Sequence, residues 1–591
     1  MERGNAGPST SGLGCKEGIC HIMNRRDLWH WASATAISAY SGRLSRASDL
    51  VIPPDVRERS APGGDIVVVN AKVWTMDPLR PRAQAVLVRG GRIVLVGDND
   101  TVRAHAQGAR RFDAHGRSVV PGFIDTHTHF ELACCYYGGL QLDIHTPPVE
   151  SLVQMFDRLR ERVAHTADGR WIVARGTYSF DELIRERRFP SRQELDAISE
   201  RHPIVVMAGL HRVMMNTMAF KTIGLWDPLT AANLRWRDGR LRIGTDVARD
   251  SEGHPTGVAT EIIDLLPQDM FTLEEKRTAI REQAVENFVA KGLTSLTTLP
   301  FSHTDVAIDQ RLQAEDALPI RLRCYYTVPL IIPLESLLDI GLQPGAGDDM
   351  FRHGGIKVFV SGAGVDAHGN TVSDMKFTQD ELDELVWRAH SAGQQILLHE
   401  EGQESLTRAL AAVEKSQLRH PSALRHRIEH DWYVDNVDTM ARLRRLGMRM
   451  TITLPQYKFA RDANSTDISP RYATLIREGI EPAAISDSTG TVPTFSPLTG
   501  IASIVAPLSE GGSSPPGEAP SVEDAFRMWT IWAARAQFEE ADKGSIEVGK
   551  LGDLAVLNGN LDRLTGGALF DMSCDATILG GRVVFERSAS R

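Results

Sequence analysis

The sequence predicts an α/β protein: a (β/α)8 barrel of the TIM type, a small β-sandwich built from both chain termini, and an insertion over one barrel face. Three observations lead there. Short apolar runs at 119–124, 203–207, 293–298, 320–328, 355–360, 395–399, 426–430, 448–454 and 483–487 alternate with amphipathic stretches, notably 274–290 and 378–392. Strand alternating with helix means parallel βαβ units, and about eight of them fit a closed barrel better than an open sheet. Both ends of the chain repeat one grammar of strand, Gly-Gly turn and strand, at 85–97 around Gly90-Gly91 and at 576–585 around Gly580-Gly581. Between about 205 and 265, turn-rich sequence such as 250–257 breaks the alternation.

Residues 1–60 lack sustained periodicity and read as a tail. Within them Arg25-Arg26 precedes a short, small-residue stretch at 29–40. The segment could equally be a twin-arginine export signal starting at Met23, which implies a periplasmic protein; without it the expectation is cytoplasmic. Residues 61–120 then form the first part of the sandwich and 541–591 the second, because neither end carries enough strands to bury a sheet face alone. The barrel occupies 121–540.

Composition bounds the function. The chain has 591 residues, with 66 Lys and Arg against 76 Asp and Glu, a formal charge of −10, and 42% apolar residues. Such a chain has material for a large core, and its negative charge disfavours nucleic acid and anionic lipid as partners. No stretch reaches the ~18 consecutive apolar residues of a membrane span. Six cysteines without a CxxC pair make neither a disulfide framework nor a zinc ribbon.

The sharpest signal is Val119-Val-Pro-Gly-Phe-Ile-Asp-Thr-His127-Thr-His129. Side chains alternate across a strand, so histidines at i and i+2 project to one side as a chelating pair. Lys357, His399, His430 and Asp487 each lie at or near the C-terminal end of a predicted strand. In a parallel barrel those ends converge on one rim. Imidazoles, a carboxylate and a lysine form an N/O donor set suited to zinc, with manganese or iron as alternatives.

With these residues and the segments Gly209-Leu-His211-Arg-Val-Met-Met-Asn216, Gly253-His-Pro-Thr-Gly257 and Gly544-Ser-Ile-Glu-Val-Gly-Lys-Leu-Gly-Asp553, the chain resembles the amidohydrolase superfamily. Within it, the resemblance is to the amidohydrolase-3 group, which includes the N-substituted formamide deformylases, and it covers residues 65–588. It implies that His127 and His129 bind the more buried metal together with Asp487. His399 and His430 would bind a second metal, with Lys357 carboxylated by carbon dioxide to bridge the two. A single-metal site with unmodified Lys357 is the alternative. Asp487 would take a proton from water and pass it to the leaving nitrogen.

The stretch after Lys357, containing His368, departs from the group's usual Asp-Gly-Ser pattern, the residues after His399 from its Gly-Asp pair, and those after Asp487 from its Trp-Pro. These departures leave the donors in place and bear on the substrate. His211, His368 and Trp171 are the candidate substrate-binding residues, with core packing as the competing role for His211 and Trp171. Gly544-x4-Gly549-Lys550 imitates a P-loop but has Leu551 where Ser or Thr belongs. The reading is a metal-dependent hydrolase of a carbon–nitrogen bond, amide, N-acyl or formamide-like, acting on a small molecule; a homo-oligomer is compatible with it. Ester or lactone hydrolysis, deamination or decarboxylation at the same site, and a catalytically silent scaffold, are the alternatives.

Overall fold

The computed structural model describes residues 64–146, 148–176, 180–228, 246–365, 371–400, 402–430, 434, 436–454, 471–488, 496–564 and 566–587. The twin-arginine segment and His368 lie outside the described residues.

Eight strands in chain order make one sheet: β1 (Phe123–Thr128), β2 (Leu293–Thr298), β3 (Arg321–Val328), β4 (Phe351–Phe359), β5 (Ile396–His399), β6 (Arg427–Glu429), β7 (Arg449–Thr453) and β8 (Ala483–Ile485). Every neighbouring pair in that order is parallel. The sheet curls until its ends meet, where Asp487 N–H donates to His127 O (3.1 Å) and His129 N–H to Ser488 O (2.8 Å). The expected (β/α)8 barrel is therefore the architecture. Its strands read as continuous apolar runs because they are covered on both faces. The two clearest predicted helices form at Leu273–Asn287 and Gln379–Ser391. Each starts at a capping box, Thr272 with Glu275 and Thr378 with Glu381, which satisfies donors that a helix start leaves open.

Two glycines set the strand spacing that the site needs. A Cβ on Gly122 would come within 2.2 Å of the Thr294 side chain where the chain enters β1 beside β2. Gly355 has φ +144°, and a Cβ there would meet Gln395 O at 2.2 Å. Beyond this close approach β4 and β5 run in register, Lys357 opposite Leu397 and Phe359 opposite His399.

Strands from the two ends of the chain pair with each other. Leu554–Leu557 pairs antiparallel with Ser118–Pro121 in a six-stranded sheet that draws on both ends of the chain. A four-stranded sheet holds Ile66–Val69, Ala85–Arg89, Arg92–Gly97 and Arg110–Asp113. Both Gly-Gly turns have positive φ at each glycine, as a tight hairpin requires. Residues of both sheets, among them Val68, Val88, Val119, Leu554 and Ile578, share one apolar cluster. Asp553 joins this region to the barrel: its carboxylate receives both Arg321 Nε (2.8 Å) and Nη2 (2.9 Å), and Gly580 N–H (2.8 Å).

The interruption of the barrel differs from the expectation. A second six-stranded sheet, running from Leu142–Asp143 to Pro255–Thr260, stands between β1 and β2. The run at 203–207, expected in the barrel, forms Ile204–Ala208 in this sheet, parallel to Ile172–Gly176 and antiparallel to Arg212–Met215. The reason is local degeneracy: any strand covered on both faces is a continuous apolar run, whichever sheet it joins. Among the described residues, no helix is long and apolar enough to cross a membrane.

Toward the N-terminal ends of the barrel strands, His426 and His353 are buried and held neutral. Ile396 N–H donates to His426 Nδ1 (3.2 Å), so the His426 proton sits on Nε2 and is given to His390 Nδ1 (2.8 Å); His390 Nε2–H then donates to His420 O (2.7 Å). Burial, reinforced by His390, pulls His426 down to about 3, and burial with Arg323 pulls His353 down to about 4 against the bond to Gln394. Their unfolded values lie near ~6.5. Below that pH the unfolded chain binds more protons, so these two residues favour folding fully above pH ~6.5 and progressively less as pH falls toward 4 and 3. Unfolding free energies from urea titrations should decline across this window, by up to about 1.4 kcal/mol per pH unit for each histidine. A profile flat from pH 7 to pH 4.5 would contradict this account.

Candidate active site

Six side chains from five strand ends meet at the rim. His127 lies in β1 and His129 just beyond it; their ring centroids are 5.6 Å apart. Asp487, two residues past β8, places Oδ1 3.5 Å from His127 Nε2 and 3.4 Å from His129 Nε2. His430, immediately after β6, lies 4.2 Å from the His127 ring and 4.8 Å from the His399 ring, centroid to centroid. One ligand atom each from His127, His430 and Asp487 falls within 4.8 Å of the others. Lys357 is fully buried in β4, and its Nζ makes no hydrogen bond among the described residues.

The backbone is bent to make this possible. His430 has φ +63° and Asp487 φ +50°, left-handed values that side-chain-bearing residues seldom adopt. Such conformations cost of order 1 kcal/mol or more and persist where surrounding structure imposes them. Here His430 follows its strand directly and Asp487 comes two residues after its own.

Glu429 was not singled out from the sequence, although it sits in Arg427-Ile-Glu-His430. It is wholly buried and accepts the Nδ1–H of His127, which leaves Nε2 as the ring nitrogen beside Asp487. Arg427 in turn binds Glu429 through Nε and Nη2 and reaches Thr126 O with Nη2 (2.7 Å). Burial pulls the Glu429 carboxyl up, but Arg427 and Lys357 more than offset this and hold it below the ordinary range. The only hint in sequence was a carboxylate next to a candidate ligand.

Burial sets the remaining charges. It drives His127 and His430 well below the usual imidazole value, aided by neighbouring cations, so both rings stay neutral with a lone pair to share. It draws the Lys357 ammonium down to about 8 against the pull of Glu429 and Asp487. Asp125, whose Oδ1 accepts from His127 N and Ser486 N at 3.2 Å, is raised to about 7, chiefly by burial. Neutral imidazoles, an adjoining carboxylate and a buried amine with no hydrogen bond among the described residues fit a divalent cation.

The candidate substrate residues separate. His211 reaches the cluster, its ring 5.7 Å from that of His399, with Phe359 beside both. Trp171 packs in the apolar cluster of the inserted sheet, at the start of Ile172–Gly176, and does not join the histidines. Tyr137 meets Ser488 Oγ through its hydroxyl at 3.1 Å, next to Asp487.

Known proteins extend this picture. The chain is 26% identical to N-substituted formamide deformylase of Arthrobacter pascens, over 89% of this chain and 99% of that one. In fold it is similar to an uncharacterized metal-dependent hydrolase of Pyrococcus horikoshii, with a TM-score of 0.63 at 19% identity over 84% of this chain and 98% of the other. Its counterpart from Pyrococcus furiosus gives a TM-score of 0.61 at 20% identity over 83% and 98%. A model of the amidohydrolase family matches residues 110–585, so the chain belongs to the amidohydrolase family.

Proposed function

We propose that this enzyme hydrolyses the carbon–nitrogen bond of a small N-acyl or N-formyl amide, with a divalent metal, zinc, held at the barrel rim. The observation that carries the reading is the position of Asp487 Oδ1, within 3.5 Å of both His127 Nε2 and His129 Nε2. His127, His129 and Asp487 would hold one ion, and His399 and His430 a second, with carboxylated Lys357 between them. A cation held by these residues would supply Lewis acidity, lowering the pKa of water toward neutrality and drawing electron density from the scissile carbonyl. Asp487 accepts the proton as water oxygen adds to the carbonyl carbon, then returns it to nitrogen as the C–N bond breaks, releasing a carboxylic acid and an amine. Glu429 fixes the His127 ring by its bond at Nδ1. The 26% identity to an N-substituted formamide deformylase over nearly the full length of both chains supports an N-substituted formamide as substrate.

Carboxylation of Lys357 is supported by its environment. An ammonium beside a cation is repelled, whereas a carbamate is a two-oxygen anion, and the buried Nζ makes no competing hydrogen bond among the described residues.

Three measurements test these assignments. The zinc-loaded protein should release amine from N-substituted formamides, and Asp487→Asn should lower kcat roughly 10²- to 10⁴-fold with KM within a few-fold; an unchanged kcat removes Asp487 from proton transfer. Glu429→Gln should weaken zinc binding about 10- to 100-fold in competition with a chelator, and equal affinity would mean that it does not orient His127. Protein equilibrated with ¹³C-bicarbonate should show a carbamate ¹³C resonance that Lys357→Arg abolishes. Absence of the signal in the active protein would leave the lysine unmodified.

A further inference from the structure

The inserted sheet touches the metal-ligand cluster through His211, and the way that ring is held suggests a role for two residues outside the donor set. His211 ends the turn between Ile204–Ala208 and Arg212–Met215, and Glu261 follows Pro255–Thr260. Antiparallel pairing of Arg212 with Thr260 sets the two opposite each other, and Glu261 N–H donates to His211 O (2.8 Å). The side chains repeat the link: His211 Nδ1–H donates to Glu261 Oε1 at 2.8 Å. Glu261 Oε2 lies 3.1 Å from Lys376 Nζ, whose side chain is only 3% exposed.

Lys376 belongs to the barrel. It follows the hairpin after β4, its N–H donates to Val360 O (2.9 Å), and Val360 N–H donates to His399 O (2.9 Å). A closed circuit therefore runs from His211 through Glu261, Lys376 and Val360 to His399, whose ring stands 5.7 Å from that of His211. Gly362 leaves the room: a Cβ there would meet Glu261 Oε1 at 2.5 Å and Lys376 Cε at 2.8 Å. The circuit is poorly explained as a stabilising device. Glu261 adopts φ +52°, a strained value, and a buried ion pair is weak evidence for stability because desolvation offsets its attraction.

We infer that Glu261 is a positioning residue for substrate binding: it commits His211 Nδ1 and thereby makes Nε2 the nitrogen that meets the substrate oxygen, while Lys376 ties Glu261 to the barrel. This rests on the amide-hydrolase reading and on His211 meeting substrate. Burial pulls the Glu261 carboxyl up, yet His211 and Lys376 hold it below its ordinary range, so it is the anionic acceptor this arrangement needs. A histidine oriented by a carboxylate loses its correct tautomer when that partner becomes an amide.

The test uses the zinc-loaded full chain and two readouts. In Glu261→Gln, KM for an N-substituted formamide should rise tenfold or more, with kcat within a few-fold and bound metal unchanged; Lys376→Met should give a smaller rise and Glu261→Asp a partial return. In ¹⁵N-histidine-labelled protein, the Nδ1–H resonance that vanishes in His211→Gln should move upfield in Glu261→Gln. An unchanged KM with metal intact, or an unmoved resonance, overturns the inference. Should Glu261→Gln fail to fold, Lys376→Met carries both readouts. If the unsubstituted protein hydrolyses no amide, the proposed function falls, and the resonance alone decides whether Glu261 orients His211.

Discussion

Closure of the barrel between its first and last strands is the constraint on which the site depends. Asp487 and His127 are far apart in sequence and belong to strands at opposite ends of the sheet order. The two backbone bonds that join them, Asp487 N–H to His127 O and His129 N–H to Ser488 O, bring the carboxylate against both imidazoles. A third contact, Ser486 N–H to Asp125 Oδ1, spans 361 positions and fastens the same seam from inside. An open sheet with the same strands would carry the same residues and assemble no site. The left-handed backbone at Asp487 is the local cost of placing a side chain over that seam.

Electrostatics then demands compensation that reaches well below the rim. A buried Glu429 carboxylate would rather take a proton, and Arg427 keeps it ionised so that it can hold His127. Arg427 stands over Tyr325, with 5.7 Å from guanidinium to ring centroid, and Tyr325 OH donates to Gln395 Oε1 (2.5 Å) while receiving Arg323 Nε (3.2 Å). Arg323 ends on Glu539 at 3.1 Å, and Glu539 on Lys543 at 2.8 Å. Buried polar networks of this kind are tolerable only when their members find partners, and they favour one arrangement of the core over alternatives. The barrel interior thus gives up part of the apolar packing usual in such cores to support charges at its mouth.

This division between seam and interior explains what could be read from the sequence. His127 and His129 were legible because a period of two is a local property of a strand, His399 and His430 because each closes an apolar run, and Lys357 because a lone charge stands inside one. Glu429 was hidden because its partner His127 lies 302 positions away, and a carboxylate beside a histidine has no periodic signature. The strand at Ile204–Ala208 was recognised as a strand but assigned to the wrong sheet, since burial on both faces looks alike in a barrel and in the inserted sheet. Trp171 failed for a related reason: an aromatic residue before a strand reads the same whether it faces a pocket or a core, and here it faces a core. Pairing of the termini was legible because too few strands at either end forced it.

The same geometry separates what must stay fixed from what can change. His399 and Glu429 lie on strands with a ladder on each side, and His127 on one laddered to β2 and closed by the seam on its other side, so altering one displaces its neighbours. The residues that approach the site from outside lie on the hairpin after β4 and on the inserted sheet, which meets the cluster at His211. Sequence drift in those segments leaves the ladders untouched. The departures after Lys357 begin on that hairpin, outside the barrel ladders. A ring brought in from a separate sheet still has to hold its place relative to metal ligands on the barrel. An ion-paired junction at Glu261 and Lys376 meets that requirement, because it ties the inserted sheet to the barrel beside the rings of His211 and His399.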